Sequence, residues 1–331
     1  MSVREQLVKS LSMILRLSKA TMQVLLADAN GLSIAKISRS TDIEMDAQAI
    51  NSVSAATYNF AEEIWKDLGI QHQQIALAFF EKFVIITIRI EPTILTIAHD
   101  FNAEWPINAE EIAKIIYQLK IDVDEMFGGA KVDTAMFAAT IRNILLLFNM
   151  GAEIPLMNYM PERGTSSPEM HDQIATILDS VQNPVFARYS IVSQDGLMLD
   201  GRDFMQNSAS PISSFSASTL VAFQKLVEES SNLNAGALLS YLCISGPDAQ
   251  NLYVSSASIC GNMIFRDPNS SREITSELTL VTLFALTYGM VPVLCEIRNI
   301  VYSITQLLGI QEGPPIDFIK SINNLIKVQY Q

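Results

Sequence analysis

The hydrophobic and polar positions divide the first half of the chain into short β-rich runs and longer helical runs. Two β-prone runs, "TMQVLLA" and "LSIAKIS", flank Asp28-Ala-Asn-Gly31, a turn-forming group in which glycine can take positive φ. Apolar residues then recur every three or four positions, as on one helix face: Ile43, Ala47, Ile50, Val53, Thr57, Phe60 and Ile64. Asp42 is the predicted N-cap of that helix. Three more β-rich runs ("QQIALAFF", "FVIITIRI", "TILTIAHD") and a helix from Asn108 complete the pattern.

The second half of the chain repeats this order. Its turn, Gln194-Asp195-Gly196, places Gly196 165 residues after Gly31, half the length of the 331-residue chain. The helix "SSFSASTLVAFQKLVEESS" follows, and its Ser216-Ala-Ser-Thr219 matches Ser54-Ala-Ala-Thr57 on the first long helix. Three strands ("AGALLSYLCIS", "NLYVSSAS", "GNMIFRD") and an apolar helix from about Ser271 are predicted next. The pattern therefore predicts two copies of one unit.

The repeat predicts four segments along the chain. Residues 1–127 and 169–308 form the two copies, and each begins with a helix ahead of its hairpin. Residues 128–168 contain a Gly-rich hinge, a linking helix and a loop punctuated by Pro and Gly. Residues 309–331 form a C-terminal amphipathic appendage, since isoleucines share one helical face there.

The element order, the Asp/Asn-Gly turn and "SAATYNFAEEI" on the first central helix resemble the Roadblock/LC7 family. The resemblance covers roughly Arg4 to Phe127 and extends more weakly from Met170 to about Ile300. It implies an α+β fold of two Roadblock-like (profilin/longin-like) units, each a five-stranded antiparallel sheet flanked by helices. The second copy departs in its Ser-rich "SASPISSFSAST" and its apolar closing helix, so it is either a divergent Roadblock domain or a related longin-like fold.

The resemblance also implies a function and a mode of pairing. Roadblock domains are non-catalytic platforms that bind and regulate small Ras-like GTPases, or act as scaffolds and dynein light chains. They dimerise through the central helix and the strand after it. The resemblance thus implies a GTPase-binding scaffold. The alternative is a ligand-sensing module of the PAS/GAF kind, which shares a central antiparallel sheet but needs a pocket over it.

Strand edges and small residues indicate where the copies would pair. Both strands after the central helices, Gln73 to Phe80 and Ala235 to Ser245, are apolar and lack the Lys or Pro that protects natural edges. They are predicted to pair within the chain, with a homodimer as the competing arrangement. Small residues off the apolar stripe would let another helix approach. The predicted interface residues are Ser52, Ala55, Ala56, Asn59, Gln74, Ala76, Ala78, Leu239, Tyr241 and Cys243.

The composition and net charge limit the classes of partner that the chain is expected to bind. With 49% hydrophobic and 17% charged residues, the chain can fill cores, and its net charge of −13 without basic clusters argues against nucleic acid or anionic lipid. The N-terminus lacks the features of a signal peptide, so a cytoplasmic protein is expected. The uncharged run from Leu278 to Cys295 contains Gly289 and Pro292 and lacks flanking Lys or Arg. It is predicted to be a buried helix, with no integral membrane insertion.

Candidate chemistry is sparse, and we expect no enzyme, catalytic residue, cofactor or metal site. The sequence has no phosphate-binding loop, and its three cysteines and three histidines are scattered, which favours buried free thiols. His99-Asp100 is expected to be a solvated pair at a strand end, and Asp122 part of a solvated acidic face. Arg142, in the apolar linking helix, is either an arginine finger or a snorkelling or salt-bridged residue, with the second favoured.

Overall fold

The computed structural model describes residues 3–39, 46–67, 73–100, 109–128, 137–138, 140–141, 163–165, 168–181, 186–205, 210–246, 251–266, 272–286 and 290–308. The chain divides into two compact units, residues 1–155 with 222–253, and residues 156–221 with 254–331. These units are defined by contacts in space, whereas the predicted segments are defined by the repeat in the sequence. Arg142, most of the linking helix and the C-terminal appendage lie outside the described residues.

The first unit has the predicted order of elements. Its bounds are α1 (Val3–Leu17), β1 (Thr21–Asp28), β2 (Ser33–Ser38), α2 (Ala47–Asp67), β3 (Gln73–Phe80), β4 (Phe83–Ile90), β5 (Thr93–Asp100), α3 (Ala109–Met126) and, far along the chain, β9 (Leu238–Ser245). The predicted cap Asp42 lies outside the described residues. The observed cap is Asp46, whose carboxylate accepts a bond from the Gln48 backbone N–H at 2.8 Å and so satisfies a donor of the first helical turn.

The strands of the first unit lie in the order β2-β1-β5-β4-β3-β9. Their ladders are all antiparallel, and short turns join the strands of the β1–β2, β3–β4 and β4–β5 pairs. Helix α1 packs against α3 and against the β1–β2 hairpin, and α2 packs against β3 and β5. The α1–α3 layer is held to the sheet by fully buried aliphatic side chains, among them Leu7, Leu11, Ile112, Ile116 and Leu119.

The second unit has its own strands and helices. They are β6 (Arg163–Thr165), α4 (Pro168–Asp179), β7 (Phe186–Ser193), β8 (Met198–Asp203), α5 (Ile212–Ser230), β10 (Tyr253–Arg266), β11 (Glu273–Ala285) and α6 (Met290–Leu307). The residues of α5 from 222 onward belong to the first unit. The order β8-β7-β11-β10 matches β2-β1-β5-β4 of the first unit element by element, and β6 lies parallel to β10.

The hairpin turns of the two units have the same hydrogen bonds. In the first, the N–H of Asp28 donates to the carbonyl of Leu32 and the N–H of Gly31 to that of Asp28, both at 3.0 Å. In the second, Ser193 donates to Leu197 and Gly196 to Ser193, both at 2.9 Å. Gly31 and Gly196 have the same φ of 82°, in the left-handed region that glycine adopts without strain. The predicted glycine turns are confirmed.

Two secondary-structure predictions for the second half were wrong. The apolar run predicted as a helix from about Ser271 is strand β11, which pairs with β7, and a helix begins only at Met290. Periodicity does not distinguish a buried strand from a buried helix, but the β-branched Ile, Thr and Val residues of β11 favour a strand. Strand β10 is continuous where two strands were predicted, and Gly261 lies within it with a φ of 140°. No helix among the described residues is long and apolar enough to span a membrane.

Candidate interaction surface

The strand after each central helix forms one side of a shared ladder in the first unit. Strand β3 pairs antiparallel with β9, with Ala76 opposite Cys243 and Ala78 opposite Tyr241. Every residue of both strands is buried. The two edges that the sequence analysis expected to pair are therefore hydrogen-bonded neighbours within one chain, and neither is left as an open apolar edge.

The six predicted interface residues on these strands are all buried. Large side chains of β9 face small ones of β3, since Tyr241 lies opposite Ala78 and Cys243 opposite Ala76. Burial raises the pKa of Cys243 to about 12, although Ser245, Tyr241 and Trp65 act in the opposite direction. At the start of β3, the Thr140 hydroxyl donates to the Gln74 side-chain carbonyl at 3.2 Å. Leu239 is 3% exposed.

The four predicted interface residues on α2 divide into two groups. Ser52 and Asn59 are exposed and Ala56 is half-buried, so these three lie along the outer face of the helix. Ala55 is buried beside the hairpin turn, where a Cβ built on Gly31 would come within 3.3 Å of its Cβ. Ala55 therefore serves the packing of α2 on the hairpin, and the exposed stripe consists of the other three.

A buried serine on each central helix is hydrogen-bonded to a hydroxyl on a strand. On α2, the Ser54 hydroxyl accepts from Thr96 at 2.9 Å and, more weakly, from Thr87 at 3.5 Å. On α5, the Ser216 and Ser190 hydroxyls lie 2.6 Å apart. The two serines occupy matching positions in the sequence, but their strand partners cannot be predicted from it, because a partner on another strand has no fixed spacing from the helix.

The cations near the central helices are held in ion pairs. Arg89 on β4 bonds the carboxylates of Glu62 and Glu91, and its guanidinium lies 5.0 Å from the centre of the Tyr58 ring. Arg188 on β7 has a side chain only 1% exposed and lies 3.1 Å from the Asp203 carboxylate. Charge-assisted bonds of this kind hold each guanidinium group in a fixed position within its unit.

Two titratable residues are more buried than expected. His99 was predicted to be solvated, but it is fully buried between β1 and β4, and burial lowers its pKa to about 4. Asp122 is also buried, and it accepts a bond from Ser10 at 3.3 Å on the neighbouring helix α1. Both expectations were wrong because the burial of these side chains depends on neighbouring strands and helices, which position along the sequence does not reveal.

The described residues contain no cluster suited to a metal ion. No group of three or more His, Cys, Asp or Glu side chains converges among them. Cys243 and Cys260 are buried free thiols, as predicted. Burial raises the pKa of Cys260 to about 12, which suppresses the reactive thiolate.

Comparison with known proteins gives similarity to solved structures over part of the chain. No protein-family model and no curated protein matches. The gliding protein MglB from Thermus thermophilus is 16% identical, with 39% of this chain and 94% of that chain covered and a TM-score of 0.33. MglB from Myxococcus xanthus is 16% identical over 39% and 94%, with a TM-score of 0.31. A Roadblock/LC7 domain from Streptomyces avermitilis is 13% identical over 37% and 94%, with a TM-score of 0.28.

Proposed function

We propose that this chain is a non-catalytic scaffold that binds a small Ras-like GTPase on a platform built around the β3–β9 ladder. The ladder is the observation that carries the proposal. The Roadblock/LC7 resemblance implies pairing through the strand after the central helix, and β3 and β9 are the strands in that position. A chain whose own β3 and β9 pair in this way contains the strand ladder on which such a platform is built.

In this proposal residues 169–308 are a second, divergent copy of residues 1–127. Three independent features support the repeat. The order β8-β7-β11-β10 follows β2-β1-β5-β4, the glycine turns have the same hydrogen bonds, and each central helix has a serine bonded to a strand hydroxyl. The strand order and the serine bonds join residues far apart in sequence, so chance similarity of local motifs does not produce all three features together.

The exposed stripe of α2 is the proposed contact surface for the GTPase. Gln48, Ser52 and Asn59 are exposed and uncharged, with half-buried Ala56 between them. A helix face turned to solvent usually has charged residues, and this chain has a net charge of −13. A neutral, small-residue face lets another protein approach closely without desolvating a charge.

The proposal is tested by direct binding to an identified GTPase. The purified chain is used to capture partners from native lysate, and each small GTPase found is then produced separately and titrated with the chain in its GDP and GTP-analogue states. We expect Ser52→Arg combined with Asn59→Arg to weaken binding at least about tenfold, since two bulky cations would block close approach. Ser33→Arg combined with Ser38→Arg adds the same charge at exposed positions of β2, and this control variant should bind the GTPase as tightly as wild type.

Three results would contradict the scaffold. The purified chain could bind labelled GTP tightly or hydrolyse it. Its captured proteins could include no small GTPase that binds directly. The α2 and β2 double variants could weaken binding equally, which would show that α2 is not the contact surface even though the GTPase binds.

A further inference from the structure

The hairpin turn between β3 and β4 is joined to the segment that leads into β9. The N–H groups of Glu81 and Lys82 donate to the carbonyls of Ala237 and Ala235, both at 3.2 Å. The Lys82 ammonium donates to the backbone carbonyl of Asn234 at 3.3 Å and to its side-chain oxygen at 3.4 Å. We call Glu81, Lys82 and residues 234–237 the clasp. It extends the β3–β9 ladder beyond the ends of both strands, inside the first unit.

Gly236 is the residue on which the clasp depends. Its φ is +81°, and a Cβ built on it would lie 2.3 Å from a carboxylate oxygen of Glu81 and 2.8 Å from the Glu81 Cβ. Any other residue would have to adopt a left-handed conformation and displace Glu81 as well. Gly196 provides a matched contrast, because its φ is +82° and a Cβ there would meet nothing within 4 Å.

The clasp is asymmetric between the two copies in the chain. The 165-residue shift that relates Gly31 to Gly196 relates Gln71 to Gly236, and Pro247 to Lys82. If β3 paired with β3 of a second chain in the same register, Gln71 would occupy the place that requires glycine. If β9 paired with a second β9, Pro247 would replace Lys82, with no N–H and no ammonium to donate.

The ladder itself shows the same asymmetry. The shift relates Ala76 to Tyr241 and Ala78 to Cys243. A symmetric β3 pair in the same register would therefore place Ala76 opposite Ala78, and the volume that Tyr241 and Cys243 occupy would be left unfilled. Unfilled volume in a buried ladder is destabilising because the surrounding atoms lose their contacts.

We propose that the clasp makes β3 select β9 over a second β3, so that the chain does not dimerise through like strands and its own β3 and β9 form one complete platform. Specificity of this kind needs a feature that penalises the wrong partner as well as one that favours the right one. Gly236 and Lys82 supply both. The inference rests on the β3–β9 ladder, and it holds whether or not the platform binds a GTPase.

The test uses the full chain with two different affinity tags, co-expressed and purified through one tag. We expect a molar mass near 36.6 kDa by light scattering, with no co-purification of the second tag. Gly236→Gln should favour pairing between chains at least about tenfold, so that dimers form and both tags co-purify. Gly196→Gln imposes the same left-handed strain in open space and should remain monomeric. Glu81→Gly added to Gly236→Gln removes the obstructing side chain and should restore part of the monomer.

Wild-type dimers, or a Gly236→Gln variant that stays monomeric like Gly196→Gln, would overturn the proposal. If Gly236→Gln fails to fold, a cross-link in the otherwise unchanged chain decides the question. Ala76→Cys places a second thiol directly opposite Cys243, and refolding in a glutathione redox buffer should join them within one chain. A covalent dimer, or no disulfide at all, would show that β3 does not pair with its own β9.

Discussion

His99 makes the stability of the first unit sensitive to pH in a range where a solvated histidine would have no effect. Burial lowers its pKa from 6.5 to about 4, and its Nδ1 lies 3.3 Å from the Thr21 hydroxyl. At a pH well above 6.5 the imidazole is neutral in both the folded and the unfolded chain, so it does not alter stability. As the pH falls below that value the unfolded chain takes up a proton and the folded chain does not, and stability is lost until the folded pKa is reached.

The size of this loss follows from the difference between the two pKa values. At about 1.4 kcal/mol per pKa unit, the full difference corresponds to about 3 kcal/mol. About 2 kcal/mol of this is expected between a pH of about 7.5 and about 5, because the unfolded histidine is then almost fully protonated and the folded one is not. Carboxylates also titrate near the lower end, so the prediction concerns the difference between wild type and a variant.

Urea unfolding followed by tryptophan fluorescence measures the first unit alone. Trp65 is buried in that unit. We expect His99→Gln to be less stable at neutral pH but to lose about 2 kcal/mol less than wild type when the pH is lowered to about 5. His171→Gln, at an exposed position in the second unit, should retain the wild-type dependence. Equal pH dependence in wild type and His99→Gln would refute the neutral buried histidine.

Two further substitutions test contacts between elements. Ser54→Ala removes the acceptor for the buried Thr96 hydroxyl, and we expect a loss of about 1 kcal/mol in the same fluorescence assay; a double-mutant cycle with Thr96→Val should show that most of it is shared. Asp203→Ala leaves the buried Arg188 guanidinium without its carboxylate, at a cost of about 2 kcal/mol because Asp203 itself is partly exposed. Faster hydrogen exchange in β7 measures that loss, and unchanged exchange would mean that the pair contributes nothing.

Much of the element order follows from the sequence because turns and helix stripes are local signals. Gly31 and Gly196 mark positions where the backbone must take positive φ, and only glycine does so without strain. Alternation and helical spacing then give the elements of the first unit. The apolar edges of β3 and β9 also pointed to each other, since an unprotected buried strand needs a partner on both sides.

Local signals fail where two structures have the same pattern. The part of β11 from Leu278 to Ala285 is uncharged and mostly apolar, and such a run is compatible with a buried strand as well as a buried helix. Its pairing with β7, about ninety residues earlier in the chain, decided between them. Strand β9 was likewise predicted to begin at Ala235, and it begins at Leu238 because Gly236 is needed in the clasp.

The hairpin turns, the central helices and the absence of familiar catalytic motifs can be read from the amino-acid sequence, because each depends on residues close together in the chain. The burial of His99, the bond between Ser54 and Thr96 and the contact of Gly236 with Glu81 emerge only from the folded chain. Each of these depends on which distant residue becomes a neighbour. A side chain's solvation, hydrogen-bond partners and available space are properties of that neighbourhood, and spacing along the chain does not encode them.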